Sequence, residues 1–297
     1  MRFKAIGFLT LALLLACTGE SHARTWYVTE DGMGDAPTIQ AAMDSAAYGD
    51  TVLVGPGTYE GVGYEGVVVF ADGVSLISEM GPQHTVLRSD WGDVVTIRNV
   101  TFARLEGFRI PGATPATWNE HVVNSLSSGS VPAPEIIICN NIIGPGNIDY
   151  CIHATYFDGE IWGNTLLGGG GFGLFMEQMC GGSFHNNIST GSHYGVFIHD
   201  SWTSVDCNDI WGNYEDFPQG IIPWDPPDNS GNFSEDPLFC DPDNGDYSLN
   251  SCSPCLPGNH PIGFDCGLIG AFGEGCSSTR IGGASTDTWG AVKALYR

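Results

Sequence analysis

One sequence pattern repeats three and a half times between residues 137 and 212, and it constrains the fold more than any other feature. Full copies cover residues 137–159, 160–182 and 183–205, and a fourth begins at Asp206. Asn141, Asn164 and Asn187 stand in register 23 residues apart, and Asp209 follows at 22. Self-similarity at a fixed period in the low twenties is typical of a solenoid, in which each copy forms one turn.

The content of each copy indicates the type of solenoid. Short β-branched or aromatic runs alternate with Gly and Asn, which leaves no room for a ten-residue helix, and the leucines of leucine-rich repeats are absent. We expect an all-β right-handed parallel β-helix with turns ~4.8 Å apart, a ladder of asparagines at the bends and an aliphatic interior. A chance resemblance within a β-sandwich would not keep several columns in register. Two further columns are Ile142, Thr165, Ile188 and Ile210, and Cys139, Trp162, His185 and Cys207.

The first 23 residues are typical of a secretory signal peptide. They combine a basic start (Arg2, Lys4), an apolar stretch over residues 5–16 and a small-x-small end at Ala23, and they are too short to span a membrane. Cys17 also ends a lipoprotein-like box, but a strand begins directly after Ala23, which favours cleavage there. We therefore expect a secreted or cell-surface protein without a membrane span.

The chain is strongly acidic. Removing the leader leaves 8 basic against 33 acidic residues, a formal charge of −25, and no Lys or Arg lies between Arg109 and Arg280. Such a surface repels nucleic acid and anionic lipid, and it repels polyuronates unless divalent cations intervene. Neutral glycans are the extracellular polymers that suit this charge best.

The N-terminal region carries the pattern of a lid. After a first strand and a turn, Ile39, Ala42, Met43 and Ala46 fall on one face of a short helix, with Thr38 as its cap. A solenoid must cover its open end, because exposed strand edges invite aggregation. We therefore predict a capping helix over the first turn.

Here the chain resembles a known family. The run DAPTIQAAMDSAAYGDTVLVGPGTY at residues 35–59 looks like the opening of the pectin-lyase-like superfamily of right-handed β-helices, and residues 137–212 are similar to its parallel β-helix repeats. The runs SEDPLFCDPDNGDYSLNSCSPCLPG and CGLIGAFGEGC resemble the closing segment of secreted bacterial β-helix proteins. The resemblance implies a fold rather than one activity, since the superfamily hosts lyases, hydrolases, esterases and scaffolds. Its lyase, polygalacturonase and methylesterase catalytic sets have no counterpart in the central turns.

Strand alternation predicts a candidate site on the outer face of the coil. If Ile152, Leu174, Val196 and their neighbours Ala154, Met176, Ile198 point inward, then His153, Phe175 and Phe197 point outward. Glu177 and His199 would then be neighbours on adjacent turns, where a carboxylate beside an imidazole can perform acid–base chemistry. An ordinary polar column is the competing interpretation. The predicted catalytic residues are Glu177, His199 and Asp200, and the predicted substrate-binding residues are Trp202, Asp158, His153 and Phe175.

Two other segments have competing interpretations. Residues 102–110 resemble a repeat with Gly107 at the asparagine position, and residues 111–134, which include Trp118, Glu120 and His121, interrupt the register. Such an insertion is either a loop over the binding face or a solvated excursion. Asp241, Asp243 and Asp246 alternate around a Gly turn as calcium ligands do, although a plain Asx turn has the same pattern.

Cysteine usage divides the chain. Cys139, Cys151, Cys180 and Cys207 lie in the repeats and are predicted to be small buried hydrophobes. Cys240, Cys252, Cys255, Cys266 and Cys276 lie in a loop-rich tail, where export favours disulfides and one cysteine must stay free or pair elsewhere. Cys252 and Cys255 have thioredoxin-like spacing without the βαβ context. The predicted organisation is leader 1–23, β-helix 24–215, cysteine-rich cap 216–276 and tail 277–297.

Two functions follow from these patterns. The first is binding of an extracellular polysaccharide on the outer face, with cleavage by a hydrolase or lyase mechanism as its extension. The second is a non-catalytic surface, adhesion or matrix scaffold. The residues do not indicate the substrate or the oligomeric state, and calcium is the one cofactor they suggest.

Overall fold

A computed structural model describes residues 22–61, 66–89, 91–112, 119–126, 134–216 and 230–277. Residues 1–21, which include Cys17 and most of the predicted leader, lie outside the described residues, as do Trp118 and the residues from 278 onward.

The described residues form a coil of parallel strands that stack into three sheets, and a typical turn contributes one strand to each. Sheet A consists of β1 (Thr25–Val28), β2 (Thr51–Val54), β5 (Val74–Ser78), β8 (Phe102–Glu106), β11 (Glu135–Cys139), β14 (Gly159–Trp162), β17 (Ser183–His185) and β20 (Ser204–Asp206). Sheet B consists of β3 (Gly57–Glu60), β6 (Thr85–Arg88), β9 (Arg109–Ile110), β12 (Ile142–Ile143), β15 (Thr165–Leu167), β18 (Ile188–Thr190) and β21 (Asp209–Trp211). Sheet C consists of β4 (Val68–Val69), β7 (Val95–Arg98), β10 (Asn119–Leu126), β13 (Ile148–Thr155), β16 (Phe172–Glu177) and β19 (Tyr194–Ile198).

This architecture confirms the predicted all-β parallel solenoid. Strand pairing within the three sheets is parallel throughout, as in β13 with β16, where Ile152 lies opposite Leu174. The right hand of the coil follows from the general rule for parallel crossovers and stays a prediction.

Aliphatic and aromatic columns fill the interior. Ile138, Ile161, Phe184 and Val205 occupy equivalent positions on four successive strands of sheet A, and each is at most 1 % exposed. Burial of each such side chain stabilises the fold by roughly 1.5–3 kcal/mol. The repeat therefore works because each turn presents the same apolar positions to its neighbours.

A buried ladder of asparagines runs between sheets A and B. The side-chain oxygen of each asparagine accepts the backbone N–H of its counterpart one turn earlier, at 3.0 Å for Asn141 to Asn164 and 2.9 Å for Asn164 to Asn187. These side chains are fully buried, so the amides satisfy backbone groups that water cannot reach. The ladder comprises Asn141, Asn164, Asn187, Asn208 and Asn232.

The structure corrects the predicted end of this ladder. Asn187 bonds to Asn208, 21 residues later, so Asp209 is not its counterpart. Asp209 instead pairs with Ile188, and Ile210 pairs with Ser189. Because of the same shift in register, Asp206 rather than Cys207 lies opposite His185. The turn from Asn187 to Asn208 is two residues shorter than the 23-residue period, which displaces the residues after it from their expected positions.

A similar correction applies to the turn at residues 102–110. The backbone N–H of Phe108 donates to Asn141 Oδ1 at 2.9 Å, so Phe108 takes the ladder position. Gly107, with φ +82°, occupies the left-handed bend just before it, where Asn140 has φ +57° on the next turn. Glycine and asparagine are the residues that tolerate this conformation best.

The N-terminal lid is confirmed. Helix α1 (Ile39–Ser45) begins at Thr38, whose side chain accepts the N–H of Ala41 at 3.1 Å. It buries Ile39, Ala42 and Met43 against the first turns, while Ala46 forms its C-terminal cap.

The lid also protects an edge strand. The Gln40 side chain accepts the N–H of Val69 at 2.7 Å and donates to its carbonyl at 3.2 Å. Val69 lies in β4, the edge of sheet C. Gln40 thus satisfies backbone groups that would otherwise offer a pairing edge to another chain.

The C-terminal segment packs along the outside of sheet B. It contains β22 (Phe239–Asp241), a 3₁₀ turn at Pro242–Asn244, β23 (Asp246–Asn250) and β24 (Glu274–Cys276). Phe272 and Tyr247 bury Ile142 and Leu167 beneath them.

Two disulfides hold this segment. Cys240 bridges Cys276, and Cys207 bridges Cys266. Cys207 was predicted to be a small buried hydrophobe. That prediction is wrong, because its sulfur is bonded to Cys266 and links the coil to the C-terminal segment. Cys139, Cys151 and Cys180 are buried outside any disulfide, as predicted. In the described ranges no helix is long and apolar enough to cross a bilayer.

Candidate functional site

The outer face of sheet C carries a continuous stack of rings, which we term the aromatic platform. Two registered columns form its centre: Tyr150, Phe172 and Tyr194 in one, and His153, Phe175 and Phe197 in the other. Ring centroids are 5.1 Å apart for Tyr150 and Phe172, for Phe172 and Tyr194, and for Phe175 and Phe197. His121 extends the first column, 5.1 Å from Tyr150. The rings are half-buried, so their outer edges reach the surface.

The strands carry these rings three residues apart because two residues between them are buried. In β16, Gly173 and Leu174 both face inward between Phe172 and Phe175. A Cβ at Gly173 would lie 2.2 Å from Ser189 Oγ and 2.5 Å from Gly195 O, so only glycine fits there. The prediction that His153, Phe175 and Phe197 face outward while Ile152, Leu174 and Val196 face inward is therefore confirmed.

A polar cluster adjoins one end of the platform. His121 Nδ1 lies 2.9 Å from Asp93 Oδ1, and the Asn124 side chain donates to Asp93 Oδ2 at 2.6 Å. On the next turns, His153 Nε2 lies 3.5 Å from Glu177 Oε1. The two imidazole rings stack at 4.7 Å and join the two acid–histidine pairs. We term Asp93, His121, Asn124, His153 and Glu177 the polar cluster.

The electrostatics of this cluster favour a neutral His153. Burial lowers the pKa of His153 below its usual value, and the neighbouring His121 lowers it further, while Glu177 and Asp93 oppose the shift. Both ring nitrogens of His153 are buried without a hydrogen bond, and so is Asn124 Oδ1. Unpaired buried polar atoms cost stability, so their retention on one face makes this cluster a candidate site.

The structure groups the predicted catalytic residues differently. Glu177 lies beside His153 of the preceding turn, whereas its expected partner, His199, belongs to the following turn. His199 Nδ1 is instead 3.6 Å from Asp200 Oδ2, and these two side chains are 60 % and 78 % exposed. The catalytic roles of Glu177, His199 and Asp200 stay predictions.

Two of the predicted substrate-binding residues meet on a separate patch. A Cβ at Gly181 would lie 2.7 Å from Trp202 Nε1 and 3.2 Å from Asp158 Oδ1, so both side chains border this glycine. Trp202 is 65 % exposed, and Asp158 is half-buried. A flat exposed ring beside a carboxylate matches the apolar face and hydroxyl edge of a sugar. His153 and Phe175, the other two predicted residues, lie in the aromatic platform.

The predicted calcium loop forms a compact turn. Asp241 Oδ2 accepts from the Asn244 side chain at 2.8 Å, and Asp246 Oδ1 accepts from the backbone of Ser248 at 3.0 Å. Asp243 lies in the short 3₁₀ turn between them. Among the residues that the structure describes, no group of three His, Cys, Asp or Glu side chains is placed to hold a metal. Calcium binding therefore stays a prediction.

Sequence reasoning did not find Asp93 or Asn124, and it treated His121 only as part of an insertion. These residues reach the site because β7 and β10 pair in sheet C, with Val95 opposite Val123. Residues 113–118, between β9 and β10, lie outside the described residues, and residues 111–134 break the repeat register from which the site was inferred.

Comparison of the chain with protein-family models, with curated proteins and with solved structures finds no match. The fold and the site geometry are therefore the basis for a functional conclusion.

Proposed function

We propose that the protein is an exported carbohydrate-binding β-solenoid that holds an extracellular polysaccharide against the aromatic platform. The observation that carries the proposal is the run of registered rings across successive turns. Because the turns repeat every ~4.8 Å, the platform is a linear array suited to an extended polymer. The ring edges that reach the surface form an apolar strip, which can contact the apolar face of a sugar without the help of charge.

The charge of the chain supports a neutral glycan. The formal charge is −24, and the described platform strands β13, β16 and β19 contain no Lys or Arg. An acidic polymer would meet repulsion along its whole length unless cations intervened. The disulfides fit export, since such bonds persist in oxidising compartments. The resemblance to pectin-lyase-like β-helices belongs to this proposal and adds a carbohydrate context.

Cleavage is a testable extension at the polar cluster. Asp93 can orient His121 through Nδ1, which leaves Nε2 for a proton transfer, and Glu177 is 31 % exposed beside the neutral His153. An imidazole and a carboxylate on one face are the groups that general acid–base catalysis requires.

The test mixes the chain from Arg24 onward with soluble neutral and acidic polysaccharides. Calorimetry measures binding, and a reducing-end assay measures cleavage. We expect Phe172→Ala and Phe175→Ala to weaken binding about two- to twelvefold each, since an aromatic contact contributes about 0.5–1.5 kcal/mol. Tyr48→Ala is the matched control, because Tyr48 is a 66 % exposed aromatic on another part of the surface. Products that disappear in Glu177→Gln would establish cleavage. Binding that both Phe variants leave unchanged would refute the proposal for this face.

A non-catalytic scaffold is the second candidate, and one observation favours it. The ionisable groups of the polar cluster lie against one another, His121 at 2.9 Å from Asp93 and His153 at 3.5 Å from Glu177. A scaffold would show neither glycan binding nor product formation across the panel, with folding intact.

A further inference from the structure

The Cys252–Cys255 pair lies at the edge of a cleft in the C-terminal segment, away from the aromatic platform. Cys252 is exposed and Cys255 is fully buried, and neither belongs to a disulfide. Successive turn hydrogen bonds, Ser253 N to Asn250 O at 2.8 Å and Leu256 N to Ser253 O at 3.3 Å, fold the backbone between them. Two intervening residues are the spacing at which cysteines act as a reversible dithiol.

The inner thiol contacts a buried carboxylate. Cys255 Sγ donates to Asp209 Oδ2 at 3.1 Å, and Asp209 is fully buried at the start of β21. The other Asp209 oxygen accepts the backbone N–H of Glu235 at 3.2 Å. Burial makes the ionised form of this carboxyl group costly, so a proton is held within hydrogen-bond distance of the Cys255 thiol.

The outer thiol faces space for a ligand. Cys252 helps to line a cleft of about 530 Å³ whose walls are mainly apolar and aromatic, with Trp211, Leu238, Phe239 and Pro242, and whose polar groups are Asp236 and Asn250. This volume suits a few residues of peptide or a small molecule.

We propose that Cys252 and Cys255 form a thiol–disulfide exchange site, with Asp209 as the proton acceptor of Cys255 and a disulfide flanked by apolar groups as its substrate. Cys252 attacks one sulfur of the substrate disulfide as a thiolate, which forms a mixed disulfide and releases the other sulfur as a thiolate. Cys255 then transfers its proton to Asp209 and attacks Cys252 Sγ. The Cys252–Cys255 bond forms, the mixed disulfide breaks, and the second substrate sulfur leaves as a thiolate that takes a proton from water. Two electrons pass from the pair to the substrate.

The buried surroundings of Asp209 and Cys255 raise the pKa of both groups. Burial raises the pKa of Asp209 to about 8, and Asp216 and Glu235 add to the rise. Burial also raises the pKa of Cys255, and Asp209 and Asp236 raise it further. At neutral pH most Asp209 is therefore already protonated, and its ionised form, which accepts the thiol proton, becomes the main form only above about pH 8. The second step should therefore accelerate as pH rises through that value. Burial also raises the pKa of Cys151 to about 12, but that thiol lies 3.8 Å from the carbonyl oxygen of Ile143 and not beside a carboxylate.

The test treats the mature protein, first reduced mildly so that its two bridges stay intact, with oxidised glutathione. Peptide mapping by mass spectrometry should show a transient glutathione adduct on Cys252 followed by a Cys252–Cys255 bond. Cys255→Ser, which keeps a donor for Asp209, should trap the adduct, and Cys252→Ser should abolish it. Asp209→Asn should slow the second step roughly a hundredfold and remove its rise with pH.

Three outcomes would overturn the proposal. They are no adduct on Cys252, an adduct in the unmodified chain that never resolves to Cys255, and transfer of the exchange to the Cys240–Cys276 bridge. An Asp209→Asn variant that resolves as fast as the unmodified chain, with the same pH profile, would remove Asp209 from the mechanism.

Discussion

Replacement of one ladder asparagine should destabilise the coil far more than the loss of one side chain suggests. Asn164 Oδ1 accepts from the backbone N–H and the side chain of Asn141 at 3.0 and 3.1 Å. Its Nδ2 group donates to Ile138 O at 2.9 Å, to Trp162 O at 3.0 Å and to Asn187 Oδ1 at 3.0 Å. Asn164→Ala removes all five hydrogen bonds at a site with no access to water.

The magnitude follows from what remains unpaired. The backbone N–H of Asn141 loses its acceptor and stays buried, which costs about 1–3 kcal/mol. Two of the three acceptors keep other donors: Trp162 O receives Asn140 N–H, and Asn187 Oδ1 receives Asn164 N–H. Losing the Asn164 hydrogen bonds to these two acceptors therefore costs less, about 0.5–1.5 kcal/mol each. With the small cavity, we expect a loss of roughly 3–5 kcal/mol in the free energy of unfolding.

The assay is equilibrium urea unfolding followed by circular dichroism, with the disulfides intact. Asn244→Ala is the control, because Asn244 is exposed and donates one hydrogen bond, to Asp241; its effect should stay within about 0.5 kcal/mol. The double variant Asn164→Ala, Asn187→Ala should lose less than the sum of the single losses, since the two side chains share a bond. If Asn164→Ala lies within 1 kcal/mol (roughly the value of one ordinary hydrogen bond) of the control, the ladder reasoning is refuted.

Three further predictions concern stability. The raised pKa of Asp209, about 8 against an ordinary 3.8, means that its contribution is fully present below pH 3.8 and is lost as pH rises to 8. Relative to Asp209→Asn, the free energy of unfolding of the unmodified chain should fall by up to about 1.4 kcal/mol per pH unit across that window. A difference between the two free energies that stays constant with pH would contradict this. The paired variant Cys207→Ser, Cys266→Ser opens a bridge spanning 59 residues and should lose about 4 kcal/mol by the loop-entropy argument, whereas a calorimetric melting temperature unchanged from the parent would exclude it. Thr38→Ala should lose about 1 kcal/mol in urea unfolding, with Thr38→Ser near the parent, because only the hydroxyl caps α1.

The repeat made most of the coil predictable. Equal spacing places Asn141, Asn164 and Asn187 in one column, and strand alternation correctly assigns Phe175 outward and Leu174 inward. A fixed period fails where one turn is shorter, so the sequence favoured Asp209 where the structure has Asn208. Only the hydrogen-bond register distinguishes neighbouring polar residues of similar shape.

The candidate site was only partly predictable because its residues come from turns of unequal length. Glu177 was expected beside His199, and the strand register does place the two residues on adjacent turns. The carboxylate of Glu177 also lies 3.5 Å from His153 on the turn before, a neighbour that the sequence did not indicate. Asp93 reaches His121 across 28 residues, and the segment 111–134, which overlaps that span and includes His121, interrupts the repeat pattern. The pairing of Cys207 with Cys266 depends on how the tail folds back, and a local pattern holds no information on that path.

The registered rings of sheet C have a consequence for how such a molecule can evolve. Each turn contacts mainly its immediate neighbours, and Phe172, Phe175 and the ladder residue Asn164 all arise within one repeat unit. Duplication of that gene segment would add a ring pair, an apolar layer and a ladder rung together, without altering either end. The length of the platform can therefore change in whole turns, through copy number rather than through new side chains.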